Sequence, residues 1–414
     1  VANTIITPDW ITKESAAILV NSLKFAGNVN RSYDDQYSQA GAKVGYTVKA
    51  RLPQRFRTTS GQALQVQNVT DTYVPVTITD QKNVAISFSS ASMTLEVDDF
   101  RRRYIKPASE QLANTIDYDG LARCYPEVYQ SVGTPGVAIS TNITYLTAGA
   151  ILSNAGTPVD GRKAILDPLS TATISNANVA VFNPSSTISS NFRSGQFAGP
   201  ALGFDSWFMD QNVARHTTGA FTTSTPLVNT ADQTGSSLIT NGWASGVTTL
   251  KRGDVFTVGG VFAVNPQNYQ STGALQQFVV TADIDNAATT VNMTIPIAPA
   301  IITSGPFQTV TNSPAHQAVI TVLGATAASA GTLTATTSSQ ALLYHPDAFT
   351  MVMADLEMPN GGAKSSRVSN NQLGVSLRYV EQYNIQTDMN VSRLDYLCGW
   401  KTIRPELAAR AWGA

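Results

Sequence analysis

The residues able to do chemistry are few and scattered. The three histidines, His216, His316 and His345, show no His-x-x-x-His spacing of the kind that puts two ligands on one helical face around a metal. Each is expected to be structural or exposed. Asp283 and Asp285 copy the opening of a calcium loop, but the glycine needed at its sixth position is missing and Thr294 stands where the bidentate glutamate belongs. There is no Gly-x-Gly-x-x-Gly turn, no phosphate-cradling Gly-Lys-Ser/Thr loop and no Gly-x-Ser-x-Gly elbow. Cys124 and Cys398 lack an activating context and are too few for a disulfide framework, so two reduced thiols are expected. Lys251-Arg252-Gly253-Asp254 lies between two strand-like runs and reads as a turn, with integrin recognition a chance match. No catalytic, metal or cofactor site is expected, and none of these residues points to an enzyme.

Some charged groups stand out for other reasons. Asp98 and Asp99 suit the start of a helix, where free amides and the positive dipole end favour carboxylates. Asp117 and Asp119 interrupt the apolar stripe of that helix and read as a solvated face. Lys43, Lys49, Arg51, Arg55 and Arg57 form a basic run, read either as the solvated face of a ribbon or as a contact for acidic groups of a neighbour.

The elements that would carry these groups follow from periodicity. Ile105, Ala108, Leu112, Ile116, Leu121, Ala122 and Tyr125 recur at three- and four-residue steps and predict a helical rod between Asp98 and Val132. Pro107 fits only its first turn and Pro126 breaks its far end, so the straight part, Pro107 to Tyr125, spans about 28 Å. Thr7, Pro8 and Asp9 open an earlier helix with Ile11, Ile18, Leu19 and Leu23 on one stripe. The polar Asn28–Gln39 stretch places that helix on an arm.

From Lys43 to Ser90 the period changes to two, through Val48, Ala50 and Leu52, then Val74, Val76 and Ile78, then Val84, Ile86 and Phe88. This predicts a long hairpin whose polar tip, Pro53–Gln67, cannot bury a core of its own and must rest on a neighbouring chain. A strand is expected at Met93–Val97, a turn at Gly133–Gly136, a helix at Asn142–Asn154 closed by Gly156, a strand at Lys163–Leu166 and a helix after Asp167-Pro168. Phe192–Phe208 reads as a loop with a returning strand.

His216–Gln340 is rich in Thr, Ser, Val and Gly, with strand runs at Val255–Val264, Gln277–Ala282, Val291–Ile297 and Gln317–Leu323. It predicts an all-β module closed as a barrel or sandwich. Strands follow at Leu342–Tyr344 and Phe349–Leu356, then a polar loop over Gly361–Asn371, strands at Val375–Ile385 and Asp395–Lys401, and a short, partly apolar tail from Pro405. The fold class is α+β.

The 414 residues carry a formal net charge of −1, which argues against a dedicated nucleic-acid binder. Charged residues make up 13% of the chain, about half the usual share. Such a composition suits a protein whose surface is largely covered by copies of itself. Val1–Ser15 has neither the basic start nor the apolar core of a secretion signal, and no run of about 18 apolar residues predicts a membrane span.

Several stretches carry a resemblance. Ala2-Asn3-Thr4-Ile5-Ile6-Thr7-Pro8, Leu23-Lys24-Phe25-Ala26, Val29-Asn30-Arg31 and Tyr33-Asp34-Asp35 resemble the major coat proteins of lambda-like short-tailed phages that infect enteric bacteria. So do Arg51-Leu52-Pro53, Ala63-Leu64-Gln65-Val66-Gln67, Arg103-Tyr104-Ile105-Lys106-Pro107-Ala108, Ile116-Asp117-Tyr118-Asp119 and Ser131-Val132-Gly133-Thr134-Pro135-Gly136. Weaker similarity lies at Lys251–Phe262 and Arg404-Pro405-Glu406.

The resemblance implies the tailed-phage major capsid protein fold with a β insertion. Residues 1–40 would be an N-terminal arm, 41–92 an extended hairpin loop, and 93–137 a peripheral domain with its spine helix. Residues 138–215 would be an axial domain, 216–340 the insertion, and 341–414 the axial and peripheral return. It also implies hexamers and pentamers of this chain in an icosahedral shell around double-stranded DNA. The DNA is held without sequence-specific binding, and a scaffolding protein and a portal at one vertex are further partners. The shell would form in the host cytoplasm as a procapsid that matures, and no membrane or cofactor is involved. Asp9 and Glu14 are then candidates for scaffold contact, and Arg51, Arg55, Arg57, Arg101, Arg102 and Arg103 for contacts between subunits. A nanocompartment shell protein and a β-rich phage binding module are the alternatives.

Overall fold

The computed structural model describes residues 8–32, 47–58, 61, 66–67, 71–89, 101–177, 200–244, 248–286, 292–326, 331–359, 363–370 and 375–413. The Thr7 cap, the expected strand Met93–Val97 and the capping pair Asp98 and Asp99 lie outside them. The chain forms two compact units: Val1–Arg51 with Tyr73–Gly120 and Phe349–Ile403, and Leu52–Thr72 with Leu121–Ala348 and Arg404–Ala414.

In the first unit the organising element is the 14-residue strand Met389–Thr402. Strand Asp80–Ser89 pairs antiparallel with it, from Met389↔Ser89 to Cys398↔Asp80. Along its other edge lie Val375–Asn384 and then Phe349–Met353. The run holding Val84, Ile86 and Phe88 therefore belongs to this sheet and not to the expected hairpin. A two-stranded ribbon is marginal alone, and a sheet shelters such a run better. The ribbon itself is Thr47–Arg51 against Tyr73–Thr77, with Thr47 opposite Thr77. Its Val48, Ala50 and Val76 are buried, while Lys49 and Arg51 are exposed.

Lys364–Asn370, expected to be loop, is a strand paired to Val375–Asn384. Its Ser, Arg and Asn residues lack an apolar alternation, and the pairing is imposed by the neighbouring strand. Helix α1 (Pro8–Ser22) packs on these two strands. Though expected on an arm, it contributes the buried Ile11, Ala16 and Leu19 to this unit. Helix α2 (Lys106–Cys124) is the expected rod. A π-helical turn, Arg101–Ile105, precedes it and a 3-10 turn, Tyr125–Glu127, holds Pro126 after it. Ile105, Ala108, Leu112, Ile116 and Leu121 are buried as the stripe requires.

The second unit contains a sheet in the order Ser131–Val132, Ala408–Trp412, Thr337–Tyr344, Lys163–Leu166, Ser206–Met209. Helices α3 (Asn142–Asn154) and α4 (Pro168–Ala177) belong to it. Gly156 closes α3 with φ +75°, and the Thr157 amide reaches the Leu152 carbonyl. Tyr145, Leu152, Phe204, Trp207, Leu343 and Ala409 share its core.

The β module contains a six-stranded sheet, ordered Ile320–Val322, Val255–Val264, Ser271–Val280, Met293–Ile301, Gly235–Asn241, Leu227–Val228. Its two ends meet: the Val228 amide donates to the Ala318 carbonyl and the Gln317 amide to the Val228 carbonyl. The expected closure is therefore a barrel, with Phe256, Phe278, Val258, Leu238 and Ile295 inside. At its base Arg215–Thr217 pairs with Thr337–Ser339, so both ends of the segment leave together.

Candidate functional site

Three places in the fold hold groups that sequence reasoning singled out. The first is the turn after α1. The amides of Lys24, Phe25 and Ala26 lie at the start of the 3-10 turn Ala26–Asn28, where the first amides of a helix have no carbonyl within it to donate to. Asp117, on α2, supplies the acceptor instead: Oδ2 lies 2.6 Å from the Lys24 nitrogen and 3.3 Å from that of Phe25, and Oδ1 lies 2.8 Å from Ala26. Asp117 is only 1% exposed, which overturns its reading as part of a solvated face. A carboxylate among three backbone donors can be buried at tolerable cost.

Beside it the Phe25 ring stacks on Trp400 at 5.2 Å and meets Phe349 edge-on at 5.6 Å. A Cβ on Gly120 would come within 2.6 Å of the Trp400 ring, so glycine is what lets α2 approach it. Asn30 and Thr350 form a bridge, with the Asn30 amide donating to the Phe349 carbonyl at 3.1 Å. The exit from α1 is thus fastened by backbone pairing, buried charge and aromatic packing. Asp119, the other acidic residue of the rod, pairs with Lys82 at 3.3 Å.

The second place is the tip carried by the ribbon. Arg55 pairs with Glu406 at 3.1 Å and lies 5.7 Å from the Phe307 ring centre. Arg57 sits 4.6 Å over Tyr269, whose hydroxyl is 3.2 Å from the carbonyls of Phe56 and Pro306. Gln67 accepts from the Arg57 amide at 2.9 Å and donates back to its carbonyl. These partners all belong to the same chain, where the sequence pointed to a solvated face or an acidic neighbour. The Arg55–Glu406 pair is partly buried, and Phe56 and Val66 beside it are 62% and 81% exposed. Cation–π and surface ion pairs of this kind contribute about 1 kcal/mol or less each.

The third place joins barrel and sheet. His216 Nε2 is 2.9 Å from Asp254, and its Nδ1 is 3.2 Å from the Tyr125 hydroxyl. Asp254 also accepts from the amides of Gly219 and Lys251, at 3.0 and 2.8 Å. It is 2% exposed. The Arg252-Gly253-Asp254 tripeptide is therefore a structural turn whose acid no partner can read. Arg410, fully buried beside Trp412, donates to the Gly253 carbonyl, and burial pushes its guanidinium down to about 10.

The remaining sequence candidates do not converge. Asp9 is exposed in the first turn of α1, whereas Glu14 is half-buried. Arg51 is exposed at the end of its strand opposite Tyr73. Arg101, Arg102 and Arg103 make up the π turn before α2, with Arg103 exposed. Cys124 and Cys398 are buried and free of disulfides. Among the described residues no cluster of three or more His, Cys, Asp or Glu could hold a metal, and no helix is long and apolar enough to cross a membrane.

Arg410 gave a signal that sequence reasoning passed over, a single charge in the Ala408–Trp412 run. The sequence presents that run as part of a short, partly apolar tail, yet it pairs on both sides within the sheet.

The chain is α+β, with a rod helix, a ribbon-borne loop and a β barrel. Residues 17–411 match the family described as P22 coat protein, gene protein 5, and the chain belongs to that family. It is a phage major capsid protein whose copies form an icosahedral shell, and so a component of the virion.

No curated protein sequence matches it. Among solved structures it is similar to the capsid of Ralstonia phage GP4, at 9% identity and TM-score 0.45, covering 94% of this chain and 88% of that one. It is also similar to a structure from Mycobacterium phage Che8, at 12% identity and TM-score 0.42, with coverage of 94% and 90%. The CUS-3 coat protein I-domain matches 26% of this chain and 96% of its own length, at 26% identity and TM-score 0.17.

Proposed function

We propose that this coat protein has no catalytic role and assembles as hexamers and pentamers into a procapsid guided by a scaffolding protein. The shell then matures around double-stranded DNA, which enters through a portal at one vertex. Assembly takes place in the host cytoplasm, and the DNA is contained without sequence-specific contacts. The observation that carries this reading is the family match over residues 17–411. The low charge of the chain, 13%, favours surfaces that meet other copies.

In this reading the exposed Asp9 and the half-buried Glu14 face the scaffold, and Arg51, Arg55, Arg57 and Arg101–Arg103 meet neighbouring subunits. The weak contacts of the loop tip, partly open to water, support that role for Arg55 and Arg57, because they exchange at little cost for equivalent contacts on another copy.

The test is negative-stain electron microscopy of the chain expressed alone and with a scaffolding protein from the same genome. Uniform closed shells, more regular when scaffold is present, are expected. Small monodisperse particles in both samples would refute assembly.

A further inference from the structure

Helix α3 carries apolar residues on both of its faces. Inward, Tyr145, Ala148 and Leu152 are buried in the core of the second unit. Outward, Ile143 and Leu146 are 64% and 46% exposed, and Thr147, Ala150, Ser153 and Asn154 continue the exposed stripe at three- and four-residue steps. A helix that packs on one side alone carries charged or polar residues on the other. Here two branched aliphatic side chains, one turn apart and so adjacent, lie on the open side.

The chemistry of the stripe narrows what covers it. Between Glu127 and Asp160 the sequence has no charged residue, so α3 offers nothing to DNA phosphates or to a charged scaffold segment. Its two hydroxyls are already satisfied. That of Thr147 donates to the Ile143 carbonyl at 2.7 Å. That of Ser153 donates to the Gly149 carbonyl at 2.9 Å and accepts from the buried Arg162 at 3.1 Å. Covering them orphans neither, so the face leaves water at small cost against a surface as uncharged as itself. Charged residues are only 13% of the chain, and its copies bury surface on one another in the shell, so a second copy supplies such a surface.

We infer that the outer face of α3, centred on Ile143 and Leu146, is a contact between copies of this chain in the shell. The inference rests on the shell-building reading and names a surface which that reading uses.

The Ile143→Glu/Leu146→Glu double variant leaves the inward face intact and keeps good helix formers, so the free subunit should melt as the wild type does. Its shell formation, followed by light scattering, should slow about tenfold or more, because two carboxylates would lose water in the contact. Leu146→Met should assemble like the wild type. A second measurement needs no charge: Ala150→Cys puts a thiol on the stripe, and the native Cys124 and Cys398 are buried. Maleimide should label position 150 about tenfold more slowly in shells washed free of scaffold than in free subunits.

Assembly of the double variant at the wild-type rate, or equal labelling of subunit and washed shell, would overturn the contact. Protection lost on washing would overturn it in favour of the scaffold. Should the double variant misfold, the labelling decides the matter. Failure of the wild-type chain itself to form shells would instead refute the shell-building reading, and the contact with it.

Discussion

The turn after α1 and the tip of the ribbon are both polar-edged segments that leave regular structure, yet they are held in opposite ways. The turn has a fully buried Phe25, a carboxylate shared among three amides and a backbone bridge at Asn30. The tip has one partly buried ion pair and a cation over a ring. The lesson is that burial, more than residue type, decides whether a charged group belongs to the fold or to a contact that can change partner. Asp117 and Arg55 both neutralise an opposite pole, but only Asp117 does so away from water.

Five substitutions sharpen this contrast. Phe25→Ala removes a ring packed between Trp400 and Phe349 and should cost about 3–5 kcal/mol, read as a drop in the denaturant midpoint. Asp117→Ala orphans three amides, a loss of about 3 kcal/mol. Asp117→Asn, which keeps one acceptor oxygen, should recover part of that loss in the same assay.

Gly120→Ala forces a methyl against the Trp400 ring and should cost about 1–3 kcal/mol, with a change in Trp fluorescence reporting the displaced ring. Arg55→Ala should cost the free subunit about 1 kcal/mol or less. Its effect should appear instead as slower shell formation by light scattering. If Arg55→Ala proved as damaging to the subunit as Asp117→Ala, the contrast would collapse.

Much of the architecture is legible in the sequence where local signals agree. Helix α3 has a terminating glycine, and Val255–Val264 is rich in Val and Phe, so both appear with the expected bounds. The misses share one cause. Lys364–Asn370 is a strand because the next strand, Val375–Asn384, folds back on it, and Ala408–Trp412 because of partners far away in the chain, and neither carries a period-two pattern that announces it. Asp80–Ser89 was visible as a strand, but its partner, some 300 residues on, was not.

At the candidate sites the same limit applies. The sequence marked Asp117 as odd because it breaks an apolar stripe, but gave no hint that the Lys24–Ala26 amides would meet it. It grouped Arg55 with Arg57, and nothing in the spacing pointed to Glu406 or Tyr269.

The most direct test of the account is amide hydrogen exchange on free subunits and on assembled shells. The Lys24, Phe25 and Ala26 amides should be protected in both states. Those of Arg55, Phe56 and Thr58 should exchange quickly in the subunit and slow markedly in the shell. Equal exchange of these three in the two states, or fast exchange at Lys24–Ala26 in the free subunit, would contradict it.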